Sequence, residues 1–215
     1  MNRLICGTVV AALLVLPSVA SAGVLTLSEI AIGSELQEQT NRPCVFGGSN
    51  CNSRVTAEIP NFTATPTGGA GLNISWDLES PEYSVAAVRF LFGDRFIVGL
   101  DFAQANGQED QVLGLFAMSI NGNVVDIWTG PQAVPPTPAG NSGNGFADYL
   151  LTGFNLAGFA GTDVVQFHAI MPVSNDGPDS AFLIAGPRDE VVPEPTTLVL
   201  LGLGLIGAGV IRRRR

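Results

Sequence analysis

Lysine is absent from the 215 residues: all ten basic residues are arginines, and His168 is the single histidine. Without lysine the chain cannot form a lysine Schiff base or a lysine-bearing phosphate loop. One imidazole cannot build a histidine-rich zinc or copper site. Charge is scarce as well, at 13 % of residues, and it runs negative. Between Gly23 and Val192 five arginines stand against eighteen carboxylates, a net charge near −13. Such a surface repels phosphate backbones, which excludes nucleic acid as a partner. Acidic polysaccharide or anionic lipid would be repelled too, unless a divalent cation mediated. No serine lies in a Gly-x-Ser-x-Gly elbow, so a hydrolase triad lacks support in the sequence. No apolar run reaches the roughly 20 residues of a comfortable membrane span.

What the chain does have is glycine (26), proline (14) and apolar β-formers. That mixture predicts an all-β domain with many turns, an antiparallel β-sandwich for which the jelly roll is one candidate form. Strand composition marks "VLTLSEIAI", "VTAEI", "LNISWDL", "SVAAVRFLF", "FIVGLDF", "VLGLFAMSI", "VVDIWT", "DYLLTGFNL", "VVQFHAIM" and "AFLIA". Of these "SVAAVRF" is weak and could be a helix, as could "SELQEQ". "NGN" between Ile120 and Val124 signals a tight hairpin. "VLGLFAMSI" is apolar on both faces and belongs at the centre of a sheet. Residues 33–54 and 131–145 read as loops, the second rich in Pro, Gly and Ser.

The two ends differ from this middle. Residues 1–22 carry Arg3, an apolar stretch from Leu4 to Leu16, and small residues at Ala20 and Ala22. That is the pattern of a secretory signal peptide cleaved after Ala22, which implies the secretion machinery and an oxidising compartment. Cys44 and Cys51 then remain in "PCVFGGSNC", where the glycines let the chain fold back into a disulfide. A loop that small would stabilise by about 2.5 kcal/mol on the chain-entropy account. A two-thiol metal or redox site is the alternative. At the far end Thr196–Ile211 has no charge, and Arg212, Arg213, Arg214 and Arg215 follow. As a helix it would be about 24 Å long, short of the roughly 30 Å hydrocarbon core. The arginines act as a stop-transfer plug on the cytoplasmic side. Pro193 and Pro195 prevent upstream extension of the helix and hold Glu194 in an extended, reachable segment. "GLGLIG" matches a dinucleotide-binding glycine pattern, but neither a preceding strand nor a following helix is available to it.

Pro193-Glu194-Pro195, the apolar run and Arg212–Arg215, in that order, resemble the PEP-CTERM sorting signal. The resemblance covers residues 191–215 and leaves residues 23–190 as the ectodomain. It implies recognition by an exosortase in the inner membrane of a Gram-negative bacterium. It further implies removal of the tail near Pro193–Pro195 and delivery to the cell surface or extracellular matrix, in association with exopolysaccharide and biofilm. "GFADYLLTGFNLAGF" and "VVQFHAIMPVSNDGPDSAFLI" also look like segments of ectodomains that bear such a tail.

Candidate sites in the ectodomain are few. Asn175, Asp176 and Asp179 gather oxygens on a tight turn, a chemistry suited to calcium and equally to an ordinary turn. No other cofactor is indicated. Trp76 and Trp128 could stack on sugar rings or pack in the core. His168 shares a strand face with Gln166 and Ile170. The reading that follows is a non-enzymatic envelope protein sorted by its tail. The alternatives are a carbohydrate-binding surface module, calcium-dependent or not, and an unprocessed single-pass membrane protein.

Overall fold

From Val164 to Met171 every second side chain is buried: Val165, Phe167, Ala169 and Met171 face inward while Gln166, His168 and Ile170 are part-exposed. This period of two is the imprint of a strand with one face on a core. In the computed structural model, residues 22–30, 36–39, 41–48, 51, 56–66, 73–103, 110–134, 145–174 and 179–186 are described. Along them run β1 (Gly23–Val24), β2 (Thr26–Glu29), β3 (Cys44–Gly47), β4 (Thr63–Ala64), β5 (Ile74–Glu79), β6 (Tyr83–Ser84) and α1 (Val85–Phe92). Then follow β7 (Arg95–Asp101), β8 (Gln111–Ile120), β9 (Asn123–Val134), β10 (Tyr149–Asn155), β11 (Val164–Ser174) and β12 (Ser180–Ala185).

The strands form two sheets. The first has the order β1-β9-β8-β11-β5, with β6 also on β11; the second has the order β2-β10-β7-β12-β3-β4. Four pairings nest inside one another along the chain: β8 with β9, β7 with β10, β5 with β11, and β3 with β12. They alternate between the two sheets. The main strands are antiparallel, as expected, but the sheets as a whole are mixed. β1 pairs with β9, and β3 with β4, in parallel. These two short contacts finish sheet edges, a role that alternation in the sequence does not encode.

Phenylalanine holds the sheets together. Phe116 (β8) and Phe167 (β11) project from one sheet, Phe46 (β3), Phe96 (β7) and Phe154 (β10) from the other. Phe96 and Phe154 stack with centroids 4.9 Å apart. Phe116 meets Phe154 at 6.1 Å and Phe46 at 6.1 Å, both edge to face. Phe167 meets Phe154 at 6.2 Å and Phe96 at 6.1 Å, also edge to face. Edge-to-face contact suits the aromatic quadrupole and adds to the area buried.

Several sequence expectations are met and several are corrected. Asn121 and Gly122, with φ of 50° and 77°, make the two-residue turn between β8 and β9. β8 lies inside its sheet between β9 and β11. "SVAAVRFLF" is helix α1 rather than a strand: Ser84 Oγ accepts from Ala87 N at 3.1 Å, and Gly93 at φ 84° ends it. Val85, Val88 and Phe92, at helical spacing, are its buried face. "VTAEI" is not a strand over its described residues; Thr56 Oγ1 accepts from Ile59 N and bends the chain. The loop expected over 33–54 contains β3, whose four residues are all buried, and residues 36–39 are not helical. The loop expected from Pro131 starts later, because β9 runs to Val134. Pro131 is tolerated there because β1 covers only Asp126 and Ile127 of that edge.

Among the described residues no helix is long and apolar enough to cross a membrane. The span expected at 196–211 lies outside them. Phe167→Ala, which empties the centre of the phenylalanine cluster, should cost about 3–5 kcal/mol. A urea titration followed by far-UV circular dichroism should show the midpoint falling while the native β spectrum survives without denaturant.

Candidate functional site

Antiparallel pairing brings a set of carboxylates to one end of the sandwich. Asp101 ends β7, Asp179 immediately precedes β12 and Asp148 immediately precedes β10. The registers Ser180–Asp101 and Tyr149–Leu100 make these three neighbours. The other sheet supplies Gln111, first in β8, and Ser174, last in β11, at the same end. Glu38 joins from the segment that bridges to Phe146 through Gln37. All four acids are buried, with exposures of 2 % (Glu38), 3 % (Asp101), 5 % (Asp148) and 2 % (Asp179); Gln111 is at 0 %.

Backbone amides of two tight segments point at these groups. Phe102 N–H donates to Asp148 Oδ2 at 2.8 Å, and Ala103 N–H to Asp179 Oδ1 at 3.1 Å. Gly145 N–H donates to Asp101 Oδ2, while its carbonyl accepts from Glu38 N at 2.9 Å. Ser174 Oγ donates to Asp179 Oδ2 at 2.8 Å. Gly145 sits at φ 98°, and a Cβ there would press on the Glu38 carboxyl at 3.1–3.3 Å. Glycine is therefore required at that position on two counts.

Burial dominates the protonation of the cluster. It pushes Asp101 up to about 8, against the Gly145 hydrogen bond and with help from the charges of Asp148, Glu38 and Asp179. It pushes Asp179 up to about 7, opposed by hydrogen bonds from Ser174, Gln111 and Ala103. No basic group is among the influences on either aspartate.

Cys44 and Cys51 form the expected disulfide, Cα to Cα 5.9 Å, and Glu38 Oε2 lies 3.1 and 3.3 Å from the two sulfurs. Glu38, Cys44 and Cys51 are also the one place among the described residues where three His, Cys, Asp or Glu side chains come within one ion's reach. Sulfurs joined to each other are not thiolates, so this grouping offers no soft-metal site.

The other candidates are placed as follows. Asp179 belongs to the buried cluster; its expected partners Asn175 and Asp176 lie outside the described residues. Trp76 is 8 % exposed and lines a cavity of about 10 Å³ with Phe102, Phe116 and Met171. That volume is near the lower limit for one water and excludes a sugar ring. Trp128 is half-buried and packs against the core opposite Phe116. Trp76 therefore presents no ring to the surface, whereas Trp128 keeps part of its side chain exposed. His168 Nε2 pairs with Asp77 Oδ1 on the outer face. Ala22 opens the described chain, whereas Ala20, Pro193, Glu194, Pro195 and Arg212–Arg215 lie outside it. Sequence reading missed Glu38, Asp101, Asp148 and Gln111. The available signal was a lone acid inside or against an apolar strand, as in "FIVGLDF", "FADYLL" and "DSAFLI".

The tail is decided by its sequence. Residues 191–215 match the profile of the PEP-CTERM protein-sorting motif. The tail is a PEP-CTERM motif. Chains that end in a PEP-CTERM motif are exported and have an exosortase as their processing partner. The match covers the tail alone. No curated protein and no solved structure matches the chain.

The raised aspartates set a pH dependence. Unfolded, Asp101 releases its proton near 3.8; folded, it holds the proton to about 8. The folded state thus binds more protons in that window, and stability falls as pH rises through it. Urea midpoints measured in a chelator should be lower at pH 8 than at pH 5, and Asp101→Asn should flatten the difference.

Proposed function

We propose that the chain is the precursor of a non-enzymatic cell-envelope protein whose β-domain is exported, briefly anchored and then freed from its tail. A signal peptide over residues 1–22 delivers it to the secretion machinery. The apolar run 196–211, stopped by Arg212–Arg215, holds it in the inner membrane of a Gram-negative cell. An exosortase acts at Pro193-Glu194-Pro195, and the domain passes to the surface or matrix, where exopolysaccharide surrounds it. The observation that carries this reading is the PEP-CTERM match over residues 191–215.

The rest of the chain is consistent with that route. A disulfide closing a small loop suits an oxidising compartment. The nested strand pairing supports reading the domain as a jelly roll, a form that protects its edges and suits exposed proteins. A hydrophobic segment short for the bilayer, with arginines able to snorkel, suits a temporary anchor better than a permanent one.

Glu194→Ala should leave the tail attached. Intact mass of the exported protein from its native host would then include Arg212–Arg215, whereas the wild type lacks them. Wild-type protein that keeps those arginines in every molecule would reduce the tail to a plain anchor.

A further inference from the structure

The acidic end of the sandwich contains acceptors in excess of donors. Asp101 receives Gly145 N–H and the Ser180 hydroxyl, both on Oδ2. Asp179 has Ala103 N–H and the Ser174 hydroxyl. The Gln111 side chain is lodged among them. Its Nε2 donates to Ala103 O at 2.9 Å and the amide also hydrogen-bonds the Asp179 side chain, which fixes which end of the amide is oxygen. Gln111 Oε1 is fully buried and receives nothing. A buried amide oxygen without a donor costs free energy of the order of 1–3 kcal/mol. Here it stands beside carboxylates on which no basic group acts. Buried carboxylates beside an amide oxygen that receives no donor are ligands of the kind a hard cation takes.

We propose that Asp101, Asp179 and the Gln111 amide oxygen, with Asp148 beside them, bind a divalent cation of the calcium class. No three carboxylates at this end lie within one ion's reach of each other among the described residues. The ion therefore takes two carboxylates and the amide oxygen, and backbone carbonyls and water complete its shell. Calcium accepts six to eight oxygens at flexible geometry; magnesium demands a tight octahedron. The ion links both sheets, since Gln111 belongs to one and Asp101 and Asp179 to the other. This assignment is independent of how the tail is processed.

The test uses the full chain in detergent, stripped with a chelator and dialysed, at one neutral pH. Calorimetry with calcium chloride should show one site with a Kd of about 0.1–1 mM, the range of extracellular modules. At about 10 mM calcium the melting temperature should rise by roughly 3–10 °C, and magnesium should do less. Gln111→Leu and Asp101→Asn should weaken binding about ten-fold or more, while Asp77→Asn, on the exposed outer face, should not. Absence of both heat and thermal shift in the wild type would overturn the proposal, whatever the variants do. So would calcium affinity unchanged in a folded Gln111→Leu protein, which would place the ion elsewhere.

Discussion

Two sheets can share a dry interior only if their facing side chains fill it, and here phenylalanine does most of the filling. Phe116 and Phe167 from one sheet mesh with Phe46, Phe96 and Phe154 from the other. These rings fix how far apart the sheets sit and how they are turned. A second, smaller cluster with Phe182, Cys44 and Cys51 requires glycine within the second sheet itself. A Cβ on Gly99 would meet the Phe182 ring at 2.8 Å, and one on Gly47 would run into the Cys51 sulfur. β3 pairs with β12 in the second sheet with the disulfide against it, in a stretch whose polarity suggested a loop.

The interior closes differently at its two ends. At one, α1 lays Val85, Val88 and Phe92 on the core, and Arg89 ties it down by donating to the Leu156 and Phe159 carbonyls. At the other, carboxylates and backbone amides replace apolar side chains. Burying four acids in one region opposes stability unless protons or a cation offset the charge. A protein built only to persist would gain from apolar residues at these positions. The retained carboxylates therefore set conditions of pH and ion content under which the domain is at its most stable.

Much of this was legible in the residues. Alternation in β11, the Asn-Gly turn after Ile120 and the doubly apolar β8 each follow from a period that the chain shows directly. The tail was equally plain, because its three parts are contiguous. The acidic end was not, because Glu38, Asp101, Asp148 and Asp179 lie far apart along the chain and meet only through strand register. Asp179 stood out only as one oxygen of a tight turn, and the other three each looked like one more solvated acid among eighteen. Helix α1 was ambiguous for another reason: Val and Phe favour strands, and the deciding signals were Ser84 and Gly93 at its two ends. β3 was hidden by the polar residues around it.

Strand β12 gives the domain a direction. It starts beside the carboxylates at Asp179 and crosses the sandwich to Ala185, a distance of about 20 Å at the usual rise per residue. The polypeptide thus departs from the pole opposite the acids. Whatever befalls the chain beyond Gly186 therefore begins a full strand length away from the buried carboxylates.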